Sequence, residues 1–170
     1  MGFRYTTTFA SFLMAVILLG GCKTIENLRN EEKFGQREVG TGDDGRQTIV
    51  ISPADEAVEY RFFDATYESV VIRQAKADPI GNTASSKYKV EVLIKGAFPD
   101  SCSELHSIDQ QRAGNLILAT LTMRRPQGAV CASVLRPYRY YMDLEGTFEP
   151  GSYSLKLNES THPLVIRPSV

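Results

Sequence analysis

Apolar and polar residues alternate along most of this chain after residue 48. Tyr88, Val90, Val92 and Ile94 fall on one face of such a segment, and charged residues occupy most of the other. Side chains of a β-strand point alternately to opposite sides, so a spacing of two indicates a strand with one buried face. No segment after residue 48 keeps a spacing of 3.6 residues over three turns. The pattern therefore predicts an all-β protein and excludes a helical bundle.

The strand segments are short and are separated by Pro, Gly, Asn and Asp. Regular short strands with such breaks favour an antiparallel sandwich or barrel. We predict a single antiparallel β-sandwich over residues 48–170. Its segments are 48–51, 58–62, 67–73, 88–95, 116–123, 138–144, 153–158 and 164–166.

A turn in the last third of the chain narrows the fold. Pro150 and Gly151 stand just before Tyr153. Pro150 sets φ for the first central turn position, and Gly151 would supply the positive φ that a type II turn needs next. This order resembles the entry to a late strand in fibronectin type III-like and immunoglobulin-like sandwiches, where the phenol can reach back to the backbone. A hairpin with an ordinary buried tyrosine would show the same residues.

The stretch 98–158 carries a broader resemblance. Its markers are Pro99-Asp100-Ser101-Cys102, Arg124-Arg125-Pro126, Ala129-Val130-Cys131, Pro137, Pro150-Gly151-Ser152-Tyr153 and Leu157-Asn158. Together they resemble a small exported domain of bacterial envelope and lipoprotein chains. The resemblance implies a β-sandwich and no established catalytic activity, and it transfers no site residues.

The amino terminus reads as an export signal. Arg4 precedes an apolar run at residues 9–19, which is too short to cross a bilayer as a helix because that takes about 20 residues. The run ends in Leu19-Gly20-Gly21-Cys22, which resembles the lipobox of bacterial lipoproteins.

This resemblance implies that residues 1–21 are removed and that Cys22 is acylated and holds the chain at a membrane. Lys23 follows the cysteine, where an Asp tends to mark inner-membrane retention, so the resemblance implies the outer membrane rather than the inner one. An ordinary secretory signal and an uncleaved anchor are the alternatives. The domain would face the periplasm or the cell surface.

Residues 22–47 are predicted to form the acylated terminus and a flexible tether. Charged residues are frequent here, glycines punctuate the second half, and apolar residues are few. Too little apolar surface is available to offset the entropy of ordering such a segment.

Three cysteines are present, and Cys102 and Cys131 remain once Cys22 carries lipid. Two thiols in an exported chain usually pair, so we predict a structural disulfide. A catalytic thiol and a zinc site with His106 are the alternatives, but these residues do not match common zinc-finger spacing.

No cofactor, metal or nucleic-acid partner is indicated. The chain has 19 basic and 20 acidic residues, a formal charge of -1, whereas a duplex binder normally shows a basic excess. No Walker loop, dinucleotide fingerprint or His-Glu-x-x-His sequence occurs.

One candidate binding surface is basic and aromatic and flanks Cys131 on both sides. It consists of Arg124, Arg125, Arg136, Tyr138, Arg139 and Tyr140. The guanidinium group of arginine binds carboxylates and phosphates through paired hydrogen bonds, and tyrosine rings pack against sugars and peptides. The hypothesis is that this surface binds an anionic envelope polymer or an acidic protein patch. The alternative is that the tyrosines are core residues and the arginines form surface ion pairs.

We therefore expect a membrane-anchored envelope lipoprotein that acts as a non-catalytic binding, assembly or structural module. Two alternatives stay open. One is an envelope hydrolase that uses His106 with Asp100 or Glu104. The other is an inhibitor of an envelope protease that presents the loop 126–129 beside the disulfide.

Overall fold

The computed structural model describes residues 31–42, 44–76 and 87–168. These residues form eleven strands, and no helix occurs among them. The strands are β1 (Glu32–Phe34), β2 (Glu38–Thr41), β3 (Gln47–Val50), β4 (Tyr60–Asp64), β5 (Tyr67–Lys76), β6 (Tyr88–Phe98), β7 (Glu104–Ala113), β8 (Leu116–Pro126), β9 (Arg136–Asp143), β10 (Gly151–Leu157) and β11 (Ser160–Ile166). The predicted signal segment 1–21 and Cys22 lie outside the described residues. None of the described segments is a helix long and apolar enough to span a bilayer.

The strands form two sheets that pack as a sandwich, so the all-β prediction is confirmed. The smaller sheet has the order β1-β9-β6-β5, and the larger has the order β11-β10-β8-β7-β3-β2, with β4 also paired to β8. The predicted antiparallel arrangement is wrong at two pairs, because β1 runs parallel to β9 and β10 runs parallel to β8. For β8 and β10 the reason is topological. After β8 the chain crosses to the other sheet, runs back along β9 and then returns as β10, so β10 again has the direction of β8.

The alternation in the sequence corresponds to the buried face of each sheet. In β6 the side chains of Val90, Val92 and Ile94 are buried in the core, and Tyr88 and Phe98 are buried near its two ends. Leu121 and Met123 of β8 supply the facing layer and are fully buried. The core is thus built from the positions that the spacing of two identifies.

The predicted tether boundary is wrong. The segment assigned to a flexible tether, residues 22–47, contains β1 and β2, and its last residue begins β3. Strand β2 pairs with β3, and the Phe34 ring of β1 packs edge-on against Phe98 at a centroid distance of 6.2 Å. These short strands obtain their stability from backbone pairing at sheet edges, which requires few apolar side chains and leaves little trace in composition.

The chain passes from one sheet to the other between β4 and β5. Residue Thr66 lies at this crossing, and its carbonyl accepts a hydrogen bond of 2.8 Å from the Tyr138 hydroxyl. Gly96 lies directly beneath this bond: a Cβ there would be 2.6 Å from the Thr66 oxygen and 2.7 Å from the Tyr138 hydroxyl. Only a residue without a side chain allows this close approach.

The turn before β10 differs in part from its prediction. The Tyr153 hydroxyl reaches back to the carbonyl of Glu149 at 3.1 Å, as the resemblance implies. Gly151, however, is not among the glycines with positive φ and instead begins β10, so the type II turn is wrong.

We expect Gly96→Ala to lower the free energy of unfolding by about 2–4 kcal/mol, because the new methyl group overlaps the Tyr138–Thr66 hydrogen bond. Gly35→Ala is the matched control, since a Cβ at Gly35 would meet nothing within 4 Å. Urea unfolding of both variants measures the difference. Equal stability of the two variants would contradict the close packing at Gly96.

Candidate functional site

One end of the sandwich is organised around a disulfide bond between Cys102 and Cys131. Cys102 lies between β6 and β7, and Cys131 lies between β8 and β9. The two Cα atoms are 5.6 Å apart, within the usual range for a disulfide. The pairing predicted from the cysteine count is present, and it joins connections that cross from one sheet to the other. We call the end of the sandwich that contains Cys102 and Cys131 the disulfide end.

Residues 127–135, here called the disulfide loop, are held by more than the disulfide. The Ser101 amide donates to the Ala132 carbonyl at 3.0 Å, and the Ala132 amide donates to the Ser101 hydroxyl at 2.9 Å. At the start of the loop, the Gln127 amide donates to the Glu59 carbonyl at 2.8 Å. The loop is therefore fastened at its start and in its middle.

The disulfide loop exposes apolar side chains to solvent. Val130 is fully exposed, Leu135 is 77% exposed and Val134 is 45% exposed. The loop sequence contains no charged residue. Clustered exposed apolar side chains typically mark contact surfaces. The disulfide loop is therefore the strongest candidate for a contact surface at this end.

Asp100 organises the turn that precedes Cys102. Its carboxylate accepts hydrogen bonds from the amides of Cys102 (2.9 Å) and Ser103 (2.8 Å) and from the Ser103 hydroxyl (2.9 Å), and it lies 3.1 Å from the Arg125 guanidinium. Burial alone would raise the pKa of this carboxyl, but the three hydrogen bonds and Arg125 together hold the pKa below its usual value. Asp100 is therefore ionised at neutral pH, and its carboxylate stabilises this turn.

The predicted basic and aromatic surface does not exist as one face. Tyr138 and Tyr140 are 1% and 0% exposed and belong to the core, so their assignment to a binding surface is wrong. Burial raises the pKa of both phenols, which keeps them neutral. Alternate residues of β9 point to opposite sides of the sheet, which separates the tyrosines from Arg139.

Each arginine of that predicted surface already has a carboxylate partner. The pairs are Arg124 with Glu104, Arg125 with Asp100, Arg136 with Glu32, and Arg139 with Glu31. Arg124 also stacks on the Tyr60 ring at 4.5 Å, and Arg136 stacks on the Phe98 ring at 4.8 Å. This arrangement matches the alternative given above, in which the tyrosines are core residues and the arginines form ion pairs.

Two open clefts of about 250 and 280 Å³ border the disulfide end, and Arg61 and Arg125 line both. The two arginines face each other across the β4–β8 pair. Arg125 is neutralised by Asp100, whereas no carboxylate partner of Arg61 occurs in the described part of the chain. The clefts thus offer one unpaired guanidinium, which the sequence analysis did not single out because β4 is paired with β8 only in the folded chain.

The hydrolase alternative requires a dyad that is not assembled in the described residues. The His106 ring approaches the Ser52 carbonyl with Nδ1 at 3.0 Å and packs on Phe62 at a centroid distance of 4.8 Å. Asp100 and Glu104 are engaged by Arg125 and Arg124 instead. Among the residues that the structure describes, no carboxylate is placed to orient His106.

Asp100, Cys102 and Cys131 also form a group whose ligand atoms lie within 4.8 Å of one another. Zinc binds cysteine as a thiolate, and the disulfide occupies both sulfur atoms. In the oxidised protein this group therefore cannot act as a two-thiolate metal site.

We expect the double variant Cys102→Ser, Cys131→Ser to lose about 3–4 kcal/mol of stability, because the disulfide closes a loop with a sequence separation of 29. Urea unfolding with and without reductant measures this loss. Reductant should lower the wild-type midpoint and leave the double variant unchanged. A wild-type midpoint that does not respond to full reduction would contradict the stabilising role.

We expect Asp100→Asn to lower the free energy of unfolding at pH 7 by about 1–2 kcal/mol, because charge-assisted hydrogen bonds become neutral ones. The folded pKa of Asp100 is lowered, so its contribution is fully present above the unfolded pKa, near 3.8, and is lost as the pH falls through the folded pKa. Thermal unfolding of both proteins at neutral pH and below pH 4 tests this. A stability difference that grows on acidification would be the wrong sign.

Comparison with known proteins places this architecture in a family. Residues 92–166 match the ORF11 beta-sandwich domain, a span that contains Cys102, Cys131 and the disulfide loop. An "Uncharacterized 10.2 kDa protein in HgiCIIM 5'region" of Herpetosiphon aurantiacus is 32% identical over 76 residues, which cover 45% of this chain and 81% of that protein. The corresponding protein in the HgiBIM 5'region of the same organism is 29% identical over 76 residues and is covered to 93%.

No solved structure matches the chain. The matched span runs from within β6 to the end of β11, so it includes the strands on both sides of the disulfide loop. Through residues 92–166, this chain belongs to the ORF11 beta-sandwich domain family.

Proposed function

We propose that this protein is a lipid-anchored, non-catalytic binding module of a bacterial envelope, and that the disulfide loop is its binding element. The observation that carries the proposal is the loop itself. It is fastened by a disulfide and by backbone hydrogen bonds, yet it exposes Val130 and Leu135 to solvent.

A fastened loop suits binding for an energetic reason. Association costs free energy when flexible segments become ordered, and a loop that is already ordered avoids much of that cost. Exposed apolar side chains then supply contact area without first breaking ion pairs. The disulfide loop combines both properties.

The disulfide also supports an envelope location. Disulfides form and persist in oxidising compartments such as the bacterial periplasm and are rare in the cytosol. A structural disulfide between Cys102 and Cys131 is consistent with the export signal at residues 1–21. With these two cysteines paired, the third cysteine, Cys22, is the one that the proposed anchor uses.

Non-catalytic action is supported by the state of the polar side chains at the disulfide end. Asp100 and Glu104 hold arginines and turn amides in place, and His106 contacts a backbone carbonyl. General acid–base catalysis needs such groups free to exchange protons with a substrate. Here they are used to maintain the fold.

The anchor is tested by Cys22→Ser. We expect the wild type in the outer-membrane fraction and the variant to be lost from that fraction, since the lipid is lost while the domain is unchanged. Mass spectrometry of the wild type should show diacylglycerol and acyl mass on an amino-terminal Cys22.

Lys23→Asp, compared with Lys23→Arg as control, should move the protein from the outer to the inner membrane.

Two results would contradict the proposal. One is an unmodified Cys22 in a protein that retains residues 1–21. The other is a Cys22→Ser variant that stays in the same membrane fraction as the wild type.

A further inference from the structure

The first described residues of the chain lie at the disulfide end. Glu32 pairs with Arg136, and Glu31 pairs with Arg139. Strand β1 begins opposite Tyr138, two residues after the start of β9. Arg136 directly follows Leu135, the last residue of the disulfide loop. The chain therefore enters the sandwich beside this loop.

The position of the entry limits how far the disulfide end can lie from the anchor. Cys22 is nine residues before Glu31. A fully extended chain spans at most about 3.3–3.6 Å per residue, so nine residues reach roughly 30 Å. The 11-residue strand β6 is itself roughly 36 Å long at about 3.3 Å per residue. The disulfide end is thus the end that can touch a membrane holding Cys22 without the chain being fully stretched.

The side chains of the disulfide loop fit the surface of a bilayer. Val130, Val134 and Leu135 are exposed, and no charge has to be removed from water to bury them. Because the chain would be attached to the same membrane, this contact would be intramolecular, and a weak apolar contact would be well populated.

Electrostatic attraction to anionic lipid does not account for a contact between the disulfide loop and the membrane. The segment before β4 places Asp55, Glu56 and Glu59 at this end, all exposed, and the arginines here are paired with carboxylates except for Arg61. An electrostatic contact with anionic lipid needs an excess of basic residues near the surface. The contact is therefore apolar and depends little on salt or on lipid charge.

We propose that the disulfide loop is a second membrane contact: Val130, Val134 and Leu135 enter the interfacial region of the bilayer that holds Cys22. This inference rests on the lipid anchor of the proposed function. It orients the sandwich with β1 and β9 beginning at the membrane and the turn at Gly146 and the start of β10 facing away. The binding element of the module then has lipid as its ligand.

The chain contains no tryptophan, so a single introduced tryptophan reports on its own surroundings. The test uses the acylated full-length mature protein in phosphatidylcholine vesicles with and without brominated acyl chains. The variants are Val130→Trp and, as matched control, Val165→Trp. Val165 is also an exposed valine (54%), but it pairs with Ser152 at the opposite end of the sandwich.

We expect brominated lipid to reduce the emission of the Val130→Trp protein about twofold and to shift it to the blue, because interfacial side chains enter the lipid by roughly 5–10 Å. The Val165→Trp emission should be unchanged. Raising the salt concentration should leave the quenching at Val130→Trp intact. Adding Leu135→Asp to the Val130→Trp protein should reduce the quenching while the protein still sediments with the vesicles.

The failures are distinguishable. If the acylated protein sediments with the vesicles but Val130→Trp is not quenched, the second contact is overturned and the anchor stands. If Val130→Trp shifts to the blue only when envelope proteins are added, and brominated lipid has no effect, the loop binds a protein and the membrane contact is overturned. If mass spectrometry finds no lipid on Cys22, the anchor fails, and the orientation argued from it is overturned as well.

Discussion

The disulfide between Cys102 and Cys131 is the constraint on which the disulfide end depends. It joins the connection that follows β6 to the loop that precedes β9, so it links two crossings between the sheets. The neighbouring Asp100 turn holds Arg125, and the carbonyls of Asp100 and Ser103 accept hydrogen bonds from Arg136. The disulfide loop, which these groups border, has nine uncharged residues and leaves Val130, Val134 and Leu135 exposed to solvent.

Four arginines at the disulfide end hold neighbouring elements of the fold together. The arginines of β8 and β9 each meet a carboxylate from a neighbouring element, and two of them also stack on aromatic rings. Exposed ion pairs contribute little individually, but a stacked and half-buried guanidinium also fills space in the packing. Apart from Arg61, the surface left for contact at the disulfide end is the apolar loop, which is why we propose a lipid contact rather than an anionic polymer.

The sequence predicted the sandwich well and its details unevenly. The alternation in β6 and β10 identified the buried faces, because a strand with one covered face must repeat every two residues. The prediction of a flexible tether was wrong at β1, which contains Phe34, because an edge strand depends on backbone pairing more than on apolar composition. Tyr138 and Tyr140 were assigned to the surface beside Arg139, although the same alternation places them on the inner face. The Asp100 turn was not predicted, and its ion pair with Arg125 joins the β6–β7 connection to β8, which leaves no local signal in the sequence.

What the sequence by itself determined was the class of fold, together with the expectations of a Cys102–Cys131 pair and of an export signal, because each depends on local spacing or on a count. The tertiary structure decided at which end of the sandwich β1 begins, which arginines pair with carboxylates and which apolar residues stay exposed. These properties depend on which strands become neighbours, and β1 meets β9 and β4 meets β8 across separations that no local pattern records.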